Sequence, residues 1–167
     1  MNAPELVSVA GYLGRIYDPD REFLEGTLVG RNSGEIDHGD ARGRMLLHIR
    51  THFSLQCWAA ISVRVQVRVA RYRVPDVVIM RGGKPSGRII NTPPEVAVEV
   101  LSPDDRASAI ESKIADYQQF GVACVWVIDP ETRPAFMHSV NSPREATDGL
   151  LRNPAGDLTV PPAAIFS

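Results

Sequence analysis

The clearest pattern in the chain is alternation. Val63, Val65, Val67 and Val69 alternate with Ser62, Arg64, Gln66 and Arg68, at the end of a run from Cys57 to Val69. This predicts a strand with one buried face and one wet face. Three other runs are apolar on both faces: VPDVVIM (74–80), EVAVEVLS (95–102) and ACVWVIDP (123–130). They predict strands in the middle of a sheet, with Pro75 marking a strand beginning or a bulge because it cannot donate a ladder bond. Periods of three and four mark two helices. One runs from Asp37 to about Leu55, with Met45, Leu46, Ile49 and Phe53 inward. The other opens at Pro103-Asp104-Asp105 and buries Ile110, Ile114, Tyr117 and Phe120 before Gly121 ends it. A shorter helix starts at Ser8, a good cap, and stops near Ile16 ahead of Asp18-Pro19-Asp20.

The connecting segments read as follows. EFLEGTLVGR (22–31) predicts one strand with a kink or bulge at Gly26, and Asn32-Ser33-Gly34 a turn. Residues 81–94 and 141–157 are loops by composition, and PAFMHSV (134–140) returns as a hairpin partner. The order is helix, strand, helix, three strands, helix, two strands. It mixes antiparallel meanders with one helical crossover, from EVAVEVLS to ACVWVID, long enough for a parallel connection. With no repeat, charge block or linker, residues 1–167 are expected to form a single domain.

Composition narrows the partners more than the fold. With 44% hydrophobic residues the chain can build its own core. Its formal charge of −2 excludes nucleic-acid binding by overall basicity, so any such contact needs a local basic patch. Cys57 and Cys124 lack metal spacing and read as buried, reduced thiols. There is no secretory pattern at the start and no apolar run of about 20 residues, which gives a cytoplasmic protein without a membrane span as the expectation.

Against this background two acids are out of place. Asp76 precedes Val77-Val78-Ile79, and Glu99 lies between Val98 and Val100, each in a run otherwise made for the core. An unpaired buried charge is costly, and two carboxylates on adjacent strands raise each other's pKa unless a cation neutralises them. Mg²⁺, or Mn²⁺ as a substitute, suits oxygen donors of this kind, with the Val100 carbonyl a further ligand. Lys113, on the helix after Glu99, could orient a water or stabilise phosphoryl charge. Taken singly, each residue is better explained by a salt bridge or a solvated helix face; only the combination points to hydrolysis.

Asp76, Glu99 after 22 intervening residues, and then a helical lysine resemble the PD-(D/E)xK nuclease superfamily. More specifically, YRVPDVVIM, PPEVAVEVLSPDDRA and KIADYQQFGVACVWVIDPE, with REFLEGTLV and His38 ahead of them, are similar to a group of small bacterial restriction endonuclease-like proteins. The resemblance implies an α+β, restriction-endonuclease-like core: a mixed central sheet flanked by helices, with metal at Asp76 and Glu99. The chain departs from the superfamily at Leu101, where the last motif would place lysine; Lys113 is its replacement on the helix. Segments like REFLEGTLV in the group often read ELIDGEL, so Thr27 stands where a second glutamate is common. Glu25 is the first choice for an additional metal or water ligand, and Glu22 the second.

Other candidates are weaker. His48 and His52 share a helix face but lack the glutamate of HExxH, since Ile49 follows His48, and a third ligand. His38 either caps its helix or approaches the acids. RGGKPSG is not a phosphate loop by spacing, though Arg81, Lys84 and Arg88 could touch a phosphate backbone. Arg64, Arg68, Arg71 and Arg73 form the densest basic cluster, equally a solvated strand face or a DNA-facing patch. The expectation is a Mg²⁺-dependent endonuclease acting on DNA, by analogy a homodimer. The alternatives are a nuclease-fold module with weak or lost catalysis, and a purely structural protein whose acids serve salt bridges.

Overall fold

A computed structural model describes residues 6–31, 35–140 and 142–166. The turn expected at Asn32-Ser33-Gly34 lies outside the described residues. The apolar runs form the centre of a six-stranded sheet. Its strands are β3 (Cys57–Ile61), β6 (Val77–Arg81), β7 (Val96–Val100), β8 (Cys124–Ile128), β9 (Ala135–Ser139) and β10 (Ser142–Glu145), in the order β10-β9-β8-β7-β6-β3. Only β7 and β8 pair in parallel; the other neighbours are antiparallel. The helix between them, α3 (Ala107–Phe120), is the expected crossover. Gly121 closes it at φ 103°, a left-handed conformation that costs little without a Cβ. The helix begins at Ala107 rather than at Pro103, with Ser102–Arg106 forming a turn in which Asp105 accepts from the Ser102 N–H at 2.8 Å.

Helix α2 (Ile36–His52) covers one face of this sheet and α3 the other. Strand alternation assigns the faces. Val96, Val98 and Val100 pack with Met45 and Ile49 of α2, while Ala97 packs with Tyr117 of α3. Glu99 therefore points into the α3 layer. Cys57 and Cys124 are buried and unpaired as expected, and burial pushes the Cys124 thiol up to about 11. Neither thiol should react with an aromatic disulfide reagent at pH 8 until denaturant is added, which an absorbance assay reads directly.

A second, four-stranded sheet is ordered β2-β1-β5-β4, from β1 (Glu22–Leu24), β2 (Thr27–Val29), β4 (Val65–Arg68) and β5 (Arg71–Arg73). Two expectations are corrected here. EFLEGTLVGR is a hairpin, not one strand: Leu24 pairs with Thr27, and Glu25 and Gly26 form the turn at φ 46° and 98°. Two positive φ values in a two-residue loop make a type I′ turn, whose twist suits a hairpin. Cys57–Val69 likewise divides into β3 and β4, which belong to different sheets and are separated at Ser62, φ 50°. The N-terminal helix α1 (Val9–Leu13) is shorter than expected, and Ser8 caps it, accepting from the Gly11 N–H at 3.0 Å. It packs an aromatic cluster, Tyr12, Phe23 and Tyr72, onto the small sheet. The segment 141–157 is less loop-like than its composition suggests, since it supplies β10 and β11 (Leu151–Arg152), the latter paired with β12 (Thr159–Val160).

Candidate active site

Four carboxylates are buried among the described residues, Glu22, Asp76, Glu99 and Asp116, and the first three gather around Lys113 where the two sheets meet. Asp76 lies just ahead of β6, at the point where the ladder with β7 opens. Its N–H donates to the Val98 carbonyl at 3.0 Å, and its Oδ2 accepts the Val100 N–H at 2.9 Å. The residue is thus bracketed by Val98 and Val100, alongside Glu99. Its side chain is 4% exposed and both oxygens are occupied: Oδ1 by Arg31 Nη2 at 2.7 Å, Oδ2 also by His38 Nε2 at 3.3 Å. Burial alone would raise the pKa of this acid. The His38 hydrogen bond and the Arg31 charge outweigh it and hold the carboxyl below its ordinary value.

Glu99 is served from the opposite layer. Oε2 accepts from Lys113 Nζ at 2.7 Å and Oε1 from the Tyr117 hydroxyl at 2.7 Å. Lys113 and Tyr117 are one helical turn apart, so a single face of α3 supplies both. Here burial dominates, and the charges of Asp76 and Glu22 add to it, so that Glu99 titrates above its ordinary value despite Lys113. Asp76 and Glu99 thus sense each other's charge but take their partners from different layers, α2 and α3.

Glu22, the second choice from sequence, is the third acid of the cluster, and Glu25 is not. Glu22 is 1% exposed on β1; its Oε2 accepts from Arg73 Nη1 at 2.7 Å, and its Oε1 lies 3.6 Å from Lys113 Nζ. Glu25 occupies the hairpin turn, exposed, with Arg71 bonded to both its oxygens at 2.7–2.9 Å. The physical reason is the two-residue turn itself: it ends the strand's inward alternation at Leu24 and puts residue 25 at the tip.

The expected basic patch is also redistributed. Arg73 is 3% exposed and ties Glu22 to Asp116. Arg71 joins Glu25 to Asp116, Arg64 pairs with Asp20 at 2.6 Å, and Arg68 reaches Asp116 at 3.6 Å and Gln119. These arginines build the seam between the small sheet, α1 and α3, where alternation in sequence suggested a free face. His38 is buried against Asp76, which decides between its two readings. His48 and His52 stack at 4.3 Å on the outside of α2, remote from this cluster in their contacts.

The sequence reading missed Arg31, Arg42 and Ser62, and took Tyr117 only as core. Tyr117 carried a signal, its i+4 spacing from Lys113. Arg42 had one of the same kind, i+4 from His38 on α2. Arg31 and Ser62 had none, because their shared environment forms only when the loops fold together. Arg31 Nη1 and Arg42 Nη1 both donate to Ser62 Oγ, at 3.4 and 3.2 Å, and the Ser62 N–H donates to the Asp76 carbonyl at 3.3 Å.

Two clefts border the cluster. One of about 590 Å³ includes Ser62 and is lined by Arg15, Arg64 and Arg88. The other, about 680 Å³, continues from Leu101 and Ser102 along α3 and carries Glu35, Asp37, Asp105, Glu111, Asp129 and Glu131 with no lysine or arginine in its lining. The second lining would repel a polyanion, whereas the first carries three arginines against one acid, Asp20, which pairs with Arg64.

Donor chemistry around Asp76 and Glu99 suits a hard divalent cation: two carboxylates beside the main chain at Val100. Among the described residues no three of His, Cys, Asp and Glu already converge on one metal position. The Arg31 guanidinium on Asp76 Oδ1 is instead a stand-in cation, and its departure would open that oxygen. No helix among the described residues is long and apolar enough to cross a membrane.

Comparison with known proteins accords with this architecture. A crystal structure described as "a putative nuclease belonging to DUF820 from Anabaena variabilis" superposes with a TM-score of 0.81 at 18% identity, over 96% of this chain and 97% of that one. No curated protein matches. The likeness to that structure is one of fold, a mixed sheet flanked by helices. Residues 13–162 match the family model Uma2, described as "Putative restriction endonuclease", and the chain belongs to that family.

Proposed function

We propose that the chain is a metal-dependent nuclease that hydrolyses phosphodiester bonds in DNA, with Asp76, Glu99 and Lys113 at its centre. The observation that carries this reading is the Asp76–Glu99–Lys113 cluster at the open end of the β6–β7 ladder, with Lys113 Nζ 2.7 Å from Glu99. Asp76, Glu99 and the Val100 carbonyl would hold Mg²⁺ or Mn²⁺; the N–H and C=O of a strand residue face the same neighbour, and the Val100 N–H already faces Asp76. Bound there, the cation would acidify a water and neutralise phosphoryl charge.

The chain's own residues supply the rest. Lys113 keeps its proton: burial works against the charge, but Glu99 and Glu22 more than compensate, and its pKa is raised. It therefore serves as a fixed positive charge and donor, suited to orienting the nucleophilic water or stabilising a phosphoryl oxygen, and not as a general base at neutral pH. Tyr117 holds the other Glu99 oxygen and so fixes the carboxylate's rotation. His38, from α2, does the same for Asp76. Glu22 and Arg73 set the charge around Lys113 from behind; Glu25 supports only the outer seam through Arg71.

The test is incubation of the purified protein with supercoiled plasmid in Mn²⁺ and, separately, in EDTA. Nicking in Mn²⁺ that EDTA suppresses is the expected result. Intact plasmid at micromolar protein, with DNA retained on a gel, would favour the second reading, a nuclease-fold module whose catalysis is lost. That alternative draws on the full engagement of Asp76 and Glu99 by protein donors. A homodimer, the usual arrangement for cutting both strands, remains part of the proposal by analogy alone.

A further inference from the structure

Beside the carboxylate cluster, positive charge is left without an anion. Arg31 and Arg42 converge on the same acceptor, the neutral hydroxyl of Ser62, at 3.4 and 3.2 Å. Of the two, Arg31 has a carboxylate partner among the described residues, Asp76 at 2.7 Å. Among the described residues Arg42 has no carboxylate partner, and the Arg31 Nε is buried with no acceptor. Two guanidinium groups on one hydroxyl are poorly satisfied in charge, since each prefers a bidentate anion and the serine oxygen offers each of them a single neutral acceptor contact. A phosphodiester would satisfy both: its two non-bridging oxygens match the guanidinium fork in geometry and charge. Their shared acceptor Ser62 lines the cleft of about 590 Å³ that also carries Arg15 and Arg88, so a phosphate would approach from that side; Arg31 itself lies behind the lining, its side chain 5% exposed.

The supports of this corner are rigid. Ser62 is pinned to the Asp76 main chain at 3.3 Å, so the acceptor cannot drift from the carboxylate. Arg42 follows His38 by one turn of α2, so the helix that orients Asp76 through His38 also delivers Arg42. Arg31 is the adjustable member. It comes from the chain just beyond β2, and a cation on that carboxylate would compete with its bond to Asp76.

Resting on the nuclease reading above, we propose that Arg31 and Arg42, gathered at Ser62, form the phosphodiester-binding subsite of this site, and that Asp76 holds Arg31 in reserve. When the carboxylate is engaged elsewhere, the Arg31 guanidinium turns to the phosphate. Asp76 is then a brake on DNA binding in the absence of metal as well as a proposed ligand in its presence.

The experiment is fluorescence anisotropy with a labelled DNA duplex in EDTA, so that binding is read without catalysis. Arg42→Gln should weaken binding roughly tenfold and lower the salt dependence by about one charge, while Arg42→Lys keeps most of the salt dependence. Asp76→Asn should bind several-fold more tightly than the natural chain, roughly the effect of freeing one phosphate-seeking arginine. Adding Arg31→Gln should erase that gain, whereas the smaller gain from Glu99→Gln, a general charge effect, should survive it. Thermal melts of each variant confirm that folded proteins are compared. Unaltered binding by Arg42→Gln, or an Asp76→Asn gain that persists without Arg31, overturns the subsite. If the protein nicks plasmid in Mn²⁺ but shows either of these results, the nuclease reading stands and the subsite falls. If no form binds DNA in EDTA, the subsite falls, and if the plasmid also stays intact in Mn²⁺ the nuclease reading falls with it.

Discussion

Asp76→Ala should abolish Mn²⁺ binding and lower plasmid cleavage at least about 10³-fold, the rate equivalent of the several kcal/mol that a metal supplies to charge stabilisation. The fold should persist, with a cost of about 1–3 kcal/mol, because the change leaves the Val100 N–H and His38 without their acceptor. Arg31 loses its carboxylate as well, and with its side chain 5% exposed it adds to that cost. Titration calorimetry with Mn²⁺, circular dichroism and the cleavage assay on the same preparation separate the three effects. Unchanged Mn²⁺ affinity would remove Asp76 from the proposed metal centre and with it the catalytic assignment. A collapsed fold would show instead that the residue is chiefly structural, and Asp76→Asn, which keeps the acceptor oxygen, would then be the informative variant.

Arg73→Met should destabilise the chain by about 3–5 kcal/mol, the cost typical of removing one partner from a buried ionic network. Arg73 donates to Glu22 and to Asp116 at 2.7 Å each and to Ser112 at 2.9 Å, with its side chain 4% exposed. Methionine fills similar volume, so packing loss is small and the effect isolates the charge. Two buried carboxylates would lose a common counter-ion. Arg71 could still serve Asp116, at 2.8 Å, but Glu22 would keep only Lys113, 3.6 Å away, and the Val74 N–H. Lys113 would then be drawn toward Glu22 and away from Glu99, so cleavage should fall along with stability. Urea denaturation gives the first quantity. Adding Glu22→Gln and Asp116→Asn should recover much of it, since the stranded charges are then gone. A loss below about 1 kcal/mol would mean that the network is exposed to water, contrary to its burial.

Much of this was legible in the order of residues, for reasons that are local. A run such as EVAVEVLS has no wet face whatever it packs against, so β7 and β8 had to be interior strands. The spacing of Met45, Leu46, Ile49 and Phe53 marks the core-facing side of α2 on its own. An acid inside an apolar run is anomalous before any neighbour is known, which is why Asp76 and Glu99 stood out, and why Lys113 on the next helix was a reasonable third. Ser8 and Gly121 announced helix ends through capping chemistry that reaches only three or four residues.

Tertiary structure alone decided how the charges were shared. Alternation in RVQVR shows that Arg64 and Arg68 leave the core face, but not that acids from the loop after α1, the hairpin turn and α3 wait for them and for Arg71 and Arg73. Those partners lie 44 to 51 residues away in the chain. The preference for Glu25 over Glu22 failed because one turn type reverses which of two nearby acids points inward. Arg31, Arg42 and Ser62 come from three separate segments and share nothing until the folded loops bring them to Asp76. Hydrophobic pattern is a one-body property of each segment, readable from its own residues. Charge pairing is a two-body property, and which pairs form depends on distances that only the folded chain sets.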